Sequence, residues 1–400
     1  MLTLLIVNIT CNQGSTGKIS EQIGLIMKER GWNVYFAHGA RRVNPSKLKT
    51  YQFSTKRDEY LHYARGLVYD GDGLGSKAAT KRLVNFINIV KPDVIQLHNL
   101  HGYYLNYKIL FDYLKSTSIP VVMTLHDCWS FTGHCVHPNI ARCVKWISEC
   151  HNCPVKKQYP KATYGIDGSR RNYRLKKEYL ASYKYLHIVT VSKWLGDLVK
   201  QSILKEREIH VFPNGVDVKL FRPMVVEKLN KFTIIAVSNI WHKDKGLFDL
   251  IKLSQYLKQD EQIILVGFDS RRNIHKLPEN IITIPYTNSQ EELAKLYNQS
   301  DVVVSLSYAE TFGLTVAEGF SCGTPAIVYD NTAQPALITA ETGLIVKTGD
   351  VSAVYDAITI VRKTGKTHYS ESCRNRAELY FDKEHCFEKY VELYERLTDK

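Results

Sequence analysis

Long hydrophobic runs and internal repeats are missing from this chain of 400 residues, and an N-terminal leader is not expected. No apolar run approaches the ~18 residues that a helix needs to cross a bilayer. The opening Met-Leu-Thr-Leu-Leu-Ile-Val-Asn is too short for the apolar region of a secretory signal and lacks a basic leader. We therefore expect a first strand here and a protein that stays in the cytoplasm.

Acidic residues are the scarcer charged class, since 40 Asp and Glu stand against 53 Lys and Arg and leave a net charge of +13. The excess is concentrated in 155–177, where tyrosines are interleaved and Asp167 is the single acid. The basic residues of this segment are Lys156, Lys157, Lys161, Arg170, Arg171, Arg174, Lys176 and Lys177. A solvated helix face is the ordinary explanation; an anionic membrane surface is the functional one. No motif that reads RNA or DNA is present, so nucleic acid is not expected as a partner.

The nine cysteines are an odd number in a long chain without a signal, which argues against a disulfide framework. Five of them lie in 128–153, a loop-rich insertion that ends in the C-x2-C pair Cys150-His-Asn-Cys153. Together with Cys135 and Cys143, this pair predicts a structural zinc site. Unligated thiols are the equal alternative. Histidines that could replace one ligand are His134, His137 and His151.

Strand and helix patterns alternate from end to end, which predicts an α/β fold with parallel sheets covered by helices. With 44% hydrophobic residues, the chain can build two cores. The turn signal Pro-Asn-Gly at 213–215 marks the hinge region, so the expected domains are 1–208 and 209–382. A last helix is expected in 383–400.

Unusual residues cluster where predicted strands end. In open parallel sheets, ligands bind outside the carboxyl ends of the strands. Two sheets that face each other would bring these loops into one cleft. The residues at these ends are Gly14, Gly17, His98, Asn99, His101, Tyr103, His126, Asp127, Asn239, Lys245, Gly267 and Glu310.

The segment Glu310-Thr-Phe-Gly-Leu-Thr-Val-Ala-Glu318 follows a buried-strand pattern and enters a helix. A strand, a tight turn and a helix start bring backbone N–H groups and a positive dipole end to one point, which suits a phosphate. A carboxylate next to a phosphate site suits the vicinal hydroxyls of a sugar or a ribose. A surface pair of glutamates is the ordinary alternative.

This segment resembles the E-x7-E signature of retaining glycosyltransferases of family 4. The resemblance implies the GT-B fold: two Rossmann-like, doubly wound parallel-sheet domains that face each other across a cleft, with the last helix packed back on the N-terminal domain. It implies that Glu310 holds hydroxyls of the donor sugar and that Glu318 holds the ribose. The amides of Phe312, Gly313 and Leu314 are implied to receive the diphosphate.

Other motifs extend the resemblance. Lys245 before a helix start matches the basic residue of the family, although Ile240 stands where the family usually has an arginine. His242 and Lys243 are the candidates to replace that arginine. On the donor side we also place Asn239, Gly267 and the glycine-rich loop of Gly14 and Gly17.

Two motifs imitate other phosphate and metal sites. The loop Gly14-Ser-Thr-Gly-Lys18 is not a Walker A sequence, because Asn12 replaces its first glycine and Ile19 its Ser/Thr. Asp70-Gly-Asp72 imitates the metal motif of the GT-A fold, but it lies in a glycine-rich loop, so turn chemistry explains it better. The resemblance to GT-B enzymes implies catalysis without a bound metal or other cofactor, with basic residues and a helix start offsetting the charge of the diphosphate.

His126 ends an apolar strand and matches the histidine that faces the reacting sugar in family 4; a structural strand-end histidine is the alternative. Asp127 is the candidate general base. His98, Asn99, His101 and Tyr103 are expected to line the acceptor side, since histidine and aromatic rings suit sugars.

Thr124-Leu-His-Asp-Cys-Trp-Ser-Phe-Thr-Gly133 resembles members that act in bacterial capsule, exopolysaccharide or O-antigen assembly. The resemblance implies a retaining hexosyltransferase with a nucleotide-sugar donor, UDP first and GDP second. The acceptor is expected to be a saccharide, lipid-linked, at the inner face of the cytoplasmic membrane. Two rivals remain: another GT-B enzyme, such as a soluble glycan synthase or sugar-nucleotide epimerase, and an inactive nucleotide- or polyanion-binding protein.

Overall fold

The computed structural model describes residues 1–41, 43–269 and 277–399. Its backbone divides into two compact units. The first comprises Met1–Phe212 and Phe387–Lys400, and the second comprises Pro213–Cys386. Among the described residues, no helix combines the length and the apolar content needed to cross a membrane.

The first unit is a parallel sheet with connecting helices. Its elements are β1 (Thr3–Asn8), α1 (Gly14–Glu29), β2 (Asn33–His38), β3 (Lys49–Gln52), α2 (Lys56–Tyr69), α3 (Lys77–Val90), β4 (Val94–Leu97), α4 (Tyr107–Leu114), β5 (Val121–Leu125), α5 (Ser169–Lys176), β6 (Leu186–Thr190), α6 (Lys193–Val199) and β7 (Glu208–Val211). The strands lie in the order β3-β2-β1-β4-β5-β6-β7, and all neighbours are parallel. Every residue of β1 and β5 is buried, as in a sheet covered on both faces.

The second unit repeats this architecture. Its elements are β8 (Phe232–Val237), α7 (Leu247–Leu253), β9 (Glu261–Val266), β10 (Ile281–Ile284), α8 (Gln290–Gln299), β11 (Val302–Ser305), α9 (Leu314–Ser321), β12 (Ala326–Tyr329), β13 (Gly343–Val346), α10 (Val351–Thr364) and α11 (Lys366–Phe381). The strand order is β10-β9-β8-β11-β12-β13, again all parallel. The prediction of two doubly wound α/β units is confirmed.

The strand order reverses at one place in each sheet. In the first unit the reversal lies between β1 and β4, and in the second it lies between β8 and β11. Loops that follow such neighbouring strands separate above and below the sheet, so a crevice opens at their carboxyl ends. The loops singled out from the sequence follow these four strands, β5 and β9.

The unit boundaries are set by two local interactions. Residue Glu208 pairs with His187 in the register of β7 with β6, so the first unit runs on to Phe212 and the segment expected as a hinge from 209 starts as a strand. The last helix, α12 (Lys383–Thr398), begins in the second unit and ends in the first. There, the ring of Tyr390 lies 5.0 Å from that of Phe212.

Candidate functional site

Lys245 and Glu310 form an ion pair at the carboxyl end of the second sheet. Glu310 lies in the loop after β11, where its backbone N–H donates to Thr332 Oγ1 at 3.1 Å. Lys245 ends a 3-10 turn just before α7, and its Nζ lies 2.7 Å from Glu310 Oε2. The two side chains are 30% and 24% exposed, so a ligand can still reach the pair.

The sheet brings these two loops together because β8 and β11 are parallel neighbours. Tyr308 N–H donates to Asp244 O at 2.8 Å and joins the loop after β11 to the turn of Lys245. Gly246 closes that turn at φ +75°, where a Cβ would lie 2.3 Å from Leu306 O. Glycine is therefore required at this position, and it fixes where Lys245 enters the site.

Glu318 lies in α9, and its carboxylate is oriented by a hydrogen bond from Tyr297. It is only 9% exposed, and its Oε2 accepts a hydrogen bond from the hydroxyl of Tyr297 at 3.0 Å. Burial, and then the charge of Glu318, raise the pKa of Tyr297, so its phenol donates at neutral pH. Helix α9 begins after Gly313 at φ +105°, with no side-chain cap among the described residues. Its first N–H groups are therefore suited to an anion.

Asn239 and Gly267 lie in the loops that follow the neighbouring strands β8 and β9. Gly267 has φ +85°, and a Cβ there would lie 1.7 Å from Ser238 O, so the two loops touch through backbone. Asn239 is exposed beside this contact. Of the candidates for the missing arginine, His242 accepts from the N–H of Asp244 at 3.3 Å, which ties it to its own turn.

In the first unit, His126 and His98 form a pair at the ends of β5 and β4. Their rings are stacked with centroids 5.2 Å apart, and His98 Nδ1 lies 2.9 Å from His126 Nε2. Burial lowers the pKa of His126 to about 4 and that of His98 well below its ordinary value. Both imidazoles are therefore neutral at pH 7, and one N–H is shared between them.

Asp127 is paired with His101 and is not free to take a proton. His101 Nε2 lies 2.7 Å from Asp127 Oδ2, and the other carboxylate oxygen accepts from Trp129 N–H at 2.8 Å. Burial raises the pKa of Asp127, but the charge and hydrogen bond of His101 outweigh it and lower that pKa to about 2. Burial lowers the pKa of His101, whereas Asp127 raises it, and the net shift is upward. A carboxylate of this kind is a weak general base.

The loop after β1 differs from the sequence-based expectation. Helix α1 already begins at Gly14, so Gly17 lies inside it, where a Cβ would be 2.8 Å from Thr10 Oγ1. Gly17 thus allows α1 to pack closely on the segment that follows β1, and it does not lie in a loop. Asn99 Nδ2 donates to Thr16 Oγ1 at 3.4 Å, so the acceptor-side loop contacts the start of α1.

Tyr103 and the pair Asp70 and Asp72 hold loops of the first unit together. Tyr103 is 8% exposed, and its hydroxyl accepts from Lys161 N–H at 3.0 Å, so it anchors the segment after the insertion and does not line the sheet edge. The pair Asp70 and Asp72 is structural: Asp72 accepts from the N–H groups of Gly102 and Tyr103, as expected for loop chemistry.

The basic side chains of segment 155–177 differ in exposure and in ion pairing. Lys176 is buried, and its Nζ donates to Trp129 O and Thr132 O at 2.5 and 2.9 Å. Arg170 and Arg174 both pair with Glu149, so part of the charge is already compensated. The remaining exposed basic residues are Lys157, Lys161, Arg171 and Lys177.

Sequence reasoning missed the partners that hold the site residues. These partners are Tyr297 for Glu318, Thr332 for Glu310 and Tyr159, whose hydroxyl lies 2.9 Å from His101 Nδ1. Each partner is distant in sequence from the residue that it contacts, so residue spacing does not predict the contact. The buried position of Tyr297 in the amphipathic helix α8 was its only signal.

Comparison with known proteins agrees with this architecture. The family model described as Glycosyltransferase Family 4 matches residues 27–220, and the one described as Glycosyl transferases group 1 matches 218–379. The chain belongs to glycosyltransferase family 4. The two models meet near the boundary of the two units and together cover most of the chain.

Curated relatives of this family 4 chain are distant. The putative colanic acid biosynthesis glycosyl transferase WcaC of Escherichia coli is 24% identical over 76% of this chain and 77% of its own length. An N,N'-diacetylbacillosaminyl-diphospho-undecaprenol alpha-1,3-N-acetylgalactosaminyltransferase of Campylobacter jejuni is 25% identical over 55% of this chain. That match spans 63% of the Campylobacter protein.

Solved structures establish the GT-B fold. Sucrose-phosphate synthase from Thermosynechococcus elongatus is similar with a TM-score of 0.71 and 16% identity, over 99% of both chains. Anabaena HepE in complex with UDP has a TM-score of 0.68 and 14% identity, covering 99% of this chain and 100% of its own. The two parallel sheets are thus those of GT-B glycosyltransferases.

Proposed function

We propose that this glycosyltransferase moves a sugar from a nucleotide-diphosphate sugar to a lipid-linked saccharide, with retention at the anomeric carbon and without a bound metal. The observation that carries the proposal is the Lys245–Glu310 ion pair near the start of α9, with Glu318 braced by Tyr297. UDP is the first candidate nucleotide and GDP the second. HepE in complex with UDP-glucose and relatives described as GDP-mannose enzymes support this order.

On the donor side, each group has one task. Lys245 and the N–H groups of α9 offset the charge of the diphosphate as it leaves, the role that a metal has in other enzymes. Glu310, oriented by Lys245, accepts hydrogen bonds from hydroxyls of the donor sugar. Glu318 accepts them from the ribose, and Tyr297 keeps its carboxylate turned to that task.

The chemical step requires little acid–base help from the protein. With Asp127 held by His101 at a pKa of about 2, no strong general base is at hand there. We propose that the acceptor hydroxyl attacks on the face that the diphosphate leaves, and that the leaving phosphate takes its proton. His126, as a neutral imidazole, binds a hydroxyl of the reacting sugar, so catalysis is mainly positioning and charge stabilisation.

The acceptor is proposed to be presented by a membrane. Relatives in Campylobacter jejuni and Escherichia coli are named for undecaprenol-linked acceptors. In the first unit, Tyr164 N–H donates to Leu67 O and Ile166 N–H to Val68 O, so the segment 164–166 runs beside the end of α2. Exposed apolar residues of this membrane-facing surface are Tyr60, Leu61, Val68, Tyr69, Tyr164 and Ile166.

Basic side chains surround this surface. Lys56, Arg57 and Arg65 are exposed on α2, and Lys157 and Lys161 are exposed just before 164–166. Apolar rings with surrounding cations suit an anionic interface, where the rings enter the headgroup layer and the cations bind phosphates. We therefore propose a peripheral location at the inner face of the cytoplasmic membrane.

The test is a transfer assay with radiolabelled UDP- and GDP-sugars, washed bacterial membranes and EDTA. The proposal expects label in the lipid extract from one donor, unaffected by EDTA, and a product whose anomeric configuration by NMR matches the donor. Label only in soluble oligosaccharide would favour a glycan synthase. Loss of transfer in EDTA that Mg²⁺ or Mn²⁺, but not Zn²⁺, restores would refute metal independence, and an inverted product would refute retention. Binding of nucleotide without any transfer would favour an inactive binding protein.

A further inference from the structure

The cysteine-rich insertion, as described, contains no α-helix or β-strand that would stabilise it. Between the end of β5 at Leu125 and the start of α5 at Ser169, the described backbone contains only 3-10 turns, at Trp129–Phe131, Pro138–Ala141 and Lys145–Ile147. Connections of this length without helices or strands are uncommon in compact domains. Asp127 and Tyr159, the two partners of His101, lie on either side of the insertion 128–153 along the chain. A cross-link that orders it would therefore order the first-unit site.

Its metal-binding side chains converge on one cavity. The walls of this cavity include His134, Cys135, Cys143, Cys150, His151 and Cys153. Cys135 and Cys150 are 8% and 9% exposed. Gly133 N–H donates to Cys150 Sγ at 3.2 Å, the kind of hydrogen bond that orients and stabilises a metal-bound thiolate.

His134 is oriented as a metal ligand would be. Its side chain is fully buried, and Nδ1 donates to Asp70 Oδ1 at 2.6 Å. This hydrogen bond places the proton on Nδ1 and leaves the lone pair on Nε2. Within the part of the chain that the structure describes, Nε2 is buried and has no hydrogen-bond partner. A carboxylate behind a histidine with a free second nitrogen is the usual arrangement of zinc sites.

We propose that the insertion binds one structural zinc ion through His134 Nε2 and the thiolates of Cys135, Cys150 and Cys153. Three sulfurs and one imidazole make a closed tetrahedral set that zinc favours. This set differs from the four cysteines expected from the sequence. Cys143 and Cys153 are both half-buried, but the thiol of Cys153 hydrogen-bonds with that of Cys135, and the backbone N–H of Cys153 donates to Asp167 Oδ2 at 2.7 Å. These contacts place Cys153 with the ligand set.

The side chains need to rotate to close on the ion. Among the described residues, the group whose donor atoms all lie within 4.8 Å of one another is His187, Glu208 and His210, and the cavity has no such group. Rotation about the Cα–Cβ bonds can draw thiols inward without moving the backbone. The other group is a weaker candidate, because Arg396 Nη2 lies 2.6 Å from Glu208 Oε1 and already neutralises it.

The proposal is tested by metal analysis of the full chain purified without chelator. We expect about one zinc per chain in the unaltered protein and in the control Cys322→Ser, a cysteine in the second unit. Cys150→Ser, Cys153→Ser and His134→Gln should each lose most of the zinc, whereas Cys143→Ser should keep it. Loss in Cys143→Ser with retention in His134→Gln would overturn this ligand set.

A second measurement does not depend on whether the variants fold. Titration of the unaltered protein with a mercurial reagent should release zinc in step with modification of thiols, and Co²⁺ exchanged into the site should show the absorption of tetrahedral thiolate coordination. Protein without zinc whose cavity thiols all alkylate freely, or whose mass shows a disulfide among them, would overturn the proposal. These readouts are independent of transferase activity.

Discussion

Lys245 Nζ and Glu310 Oε2 lie 2.7 Å apart, so the residue proposed to receive the diphosphate charge also orients the residue proposed to hold the donor sugar. This ion pair therefore links binding of the sugar to departure of the diphosphate in the proposed reaction. We propose that Lys245 is drawn towards the leaving phosphate as negative charge develops there, while Glu310 keeps the sugar in place.

Lys245→Met should lower kcat by about 100-fold, because a preorganised cation at the leaving group is lost. The KM for the donor should change much less, since the N–H groups of α9 still bind the diphosphate. Lys252→Met, an exposed lysine of α7, is the matched control and should stay within about twofold of the unaltered enzyme. Steady-state kinetics of both variants measure these effects. An unchanged kcat in Lys245→Met would show that Lys245 does not stabilise the leaving group.

The paired imidazoles His98 and His126 should make stability depend on pH. Their pKa values are lowered in the folded chain, so the unfolded chain takes up protons first as the pH falls below about 6.5. Stability should therefore decline from there to about pH 4, where folded His126 is also protonated. The His101–Asp127 pair does not change the stability between about pH 6.5 and pH 4. The pKa of His101 is raised in the folded chain, so its contribution to stability is complete below its unfolded pKa. The pKa of Asp127 is lowered to about 2, so its contribution is lost only as the pH falls towards that value.

In His126→Asn, the fall in Tm between pH 7 and 4.5 should shrink by roughly 3–6 °C. His368→Asn, at an exposed position, should retain the full fall. Other histidines with lowered pKa are present in both proteins and cancel in the comparison; they are His38, His62, His187, His210 and His242. Equal slopes in both variants would mean that the His98–His126 pair does not titrate as described.

Gly267→Ala should destabilise the second unit by more than about 3 kcal/mol, because the new Cβ meets Ser238 O in addition to the unfavourable φ. Gly31 has the same φ of +85° with open space around it, so Gly31→Ala isolates the φ contribution, about 1 kcal/mol. Urea unfolding of the two variants measures the difference. Similar losses in both would show that the loops at Ser238 and Gly267 are not in contact.

The membrane-facing surface can be tested with vesicles. The double variant Leu61→Ser/Tyr164→Ser should bind anionic phospholipid vesicles at least about tenfold more weakly in a sedimentation assay, since two side chains no longer enter the interface. Leu379→Ser/Tyr380→Ser removes a leucine and a tyrosine that are exposed on α11 and should leave binding unchanged. Equal binding of both variants would place the membrane contact elsewhere.

The strands and the site loops were predictable because their causes are local. The parallel strand Val302–Ser305 begins with three consecutive buried valines, and α8 follows the N-cap Ser289. Helix α2 cannot be predicted from apolar periodicity, because its buried residues are Glu59, His62 and Gly66. Its capping box of Thr55 with Asp58 was the signal available.

The contacts that decide chemistry were not predictable in this way. The partner of His101, Tyr159, lies 58 positions away, and Asp127 became a poor base only through the fold. Tyr103 was assigned to the acceptor side by residue type, whereas its φ of +69° and its contact with Lys161 turn it inward. Such outcomes depend on tertiary contacts that residue spacing does not specify.

The most direct test of the account is calorimetric titration with UDP, GDP, ADP and dTDP in EDTA, on the unaltered protein and on two variants. We expect micromolar binding of one nucleotide without metal, a loss of at least about tenfold in Glu318→Ala, and nearly full binding in Glu310→Ala, whose turnover falls instead. Binding of none of the four, or equal binding in Glu318→Ala and the unaltered protein, would contradict a donor site built on α9.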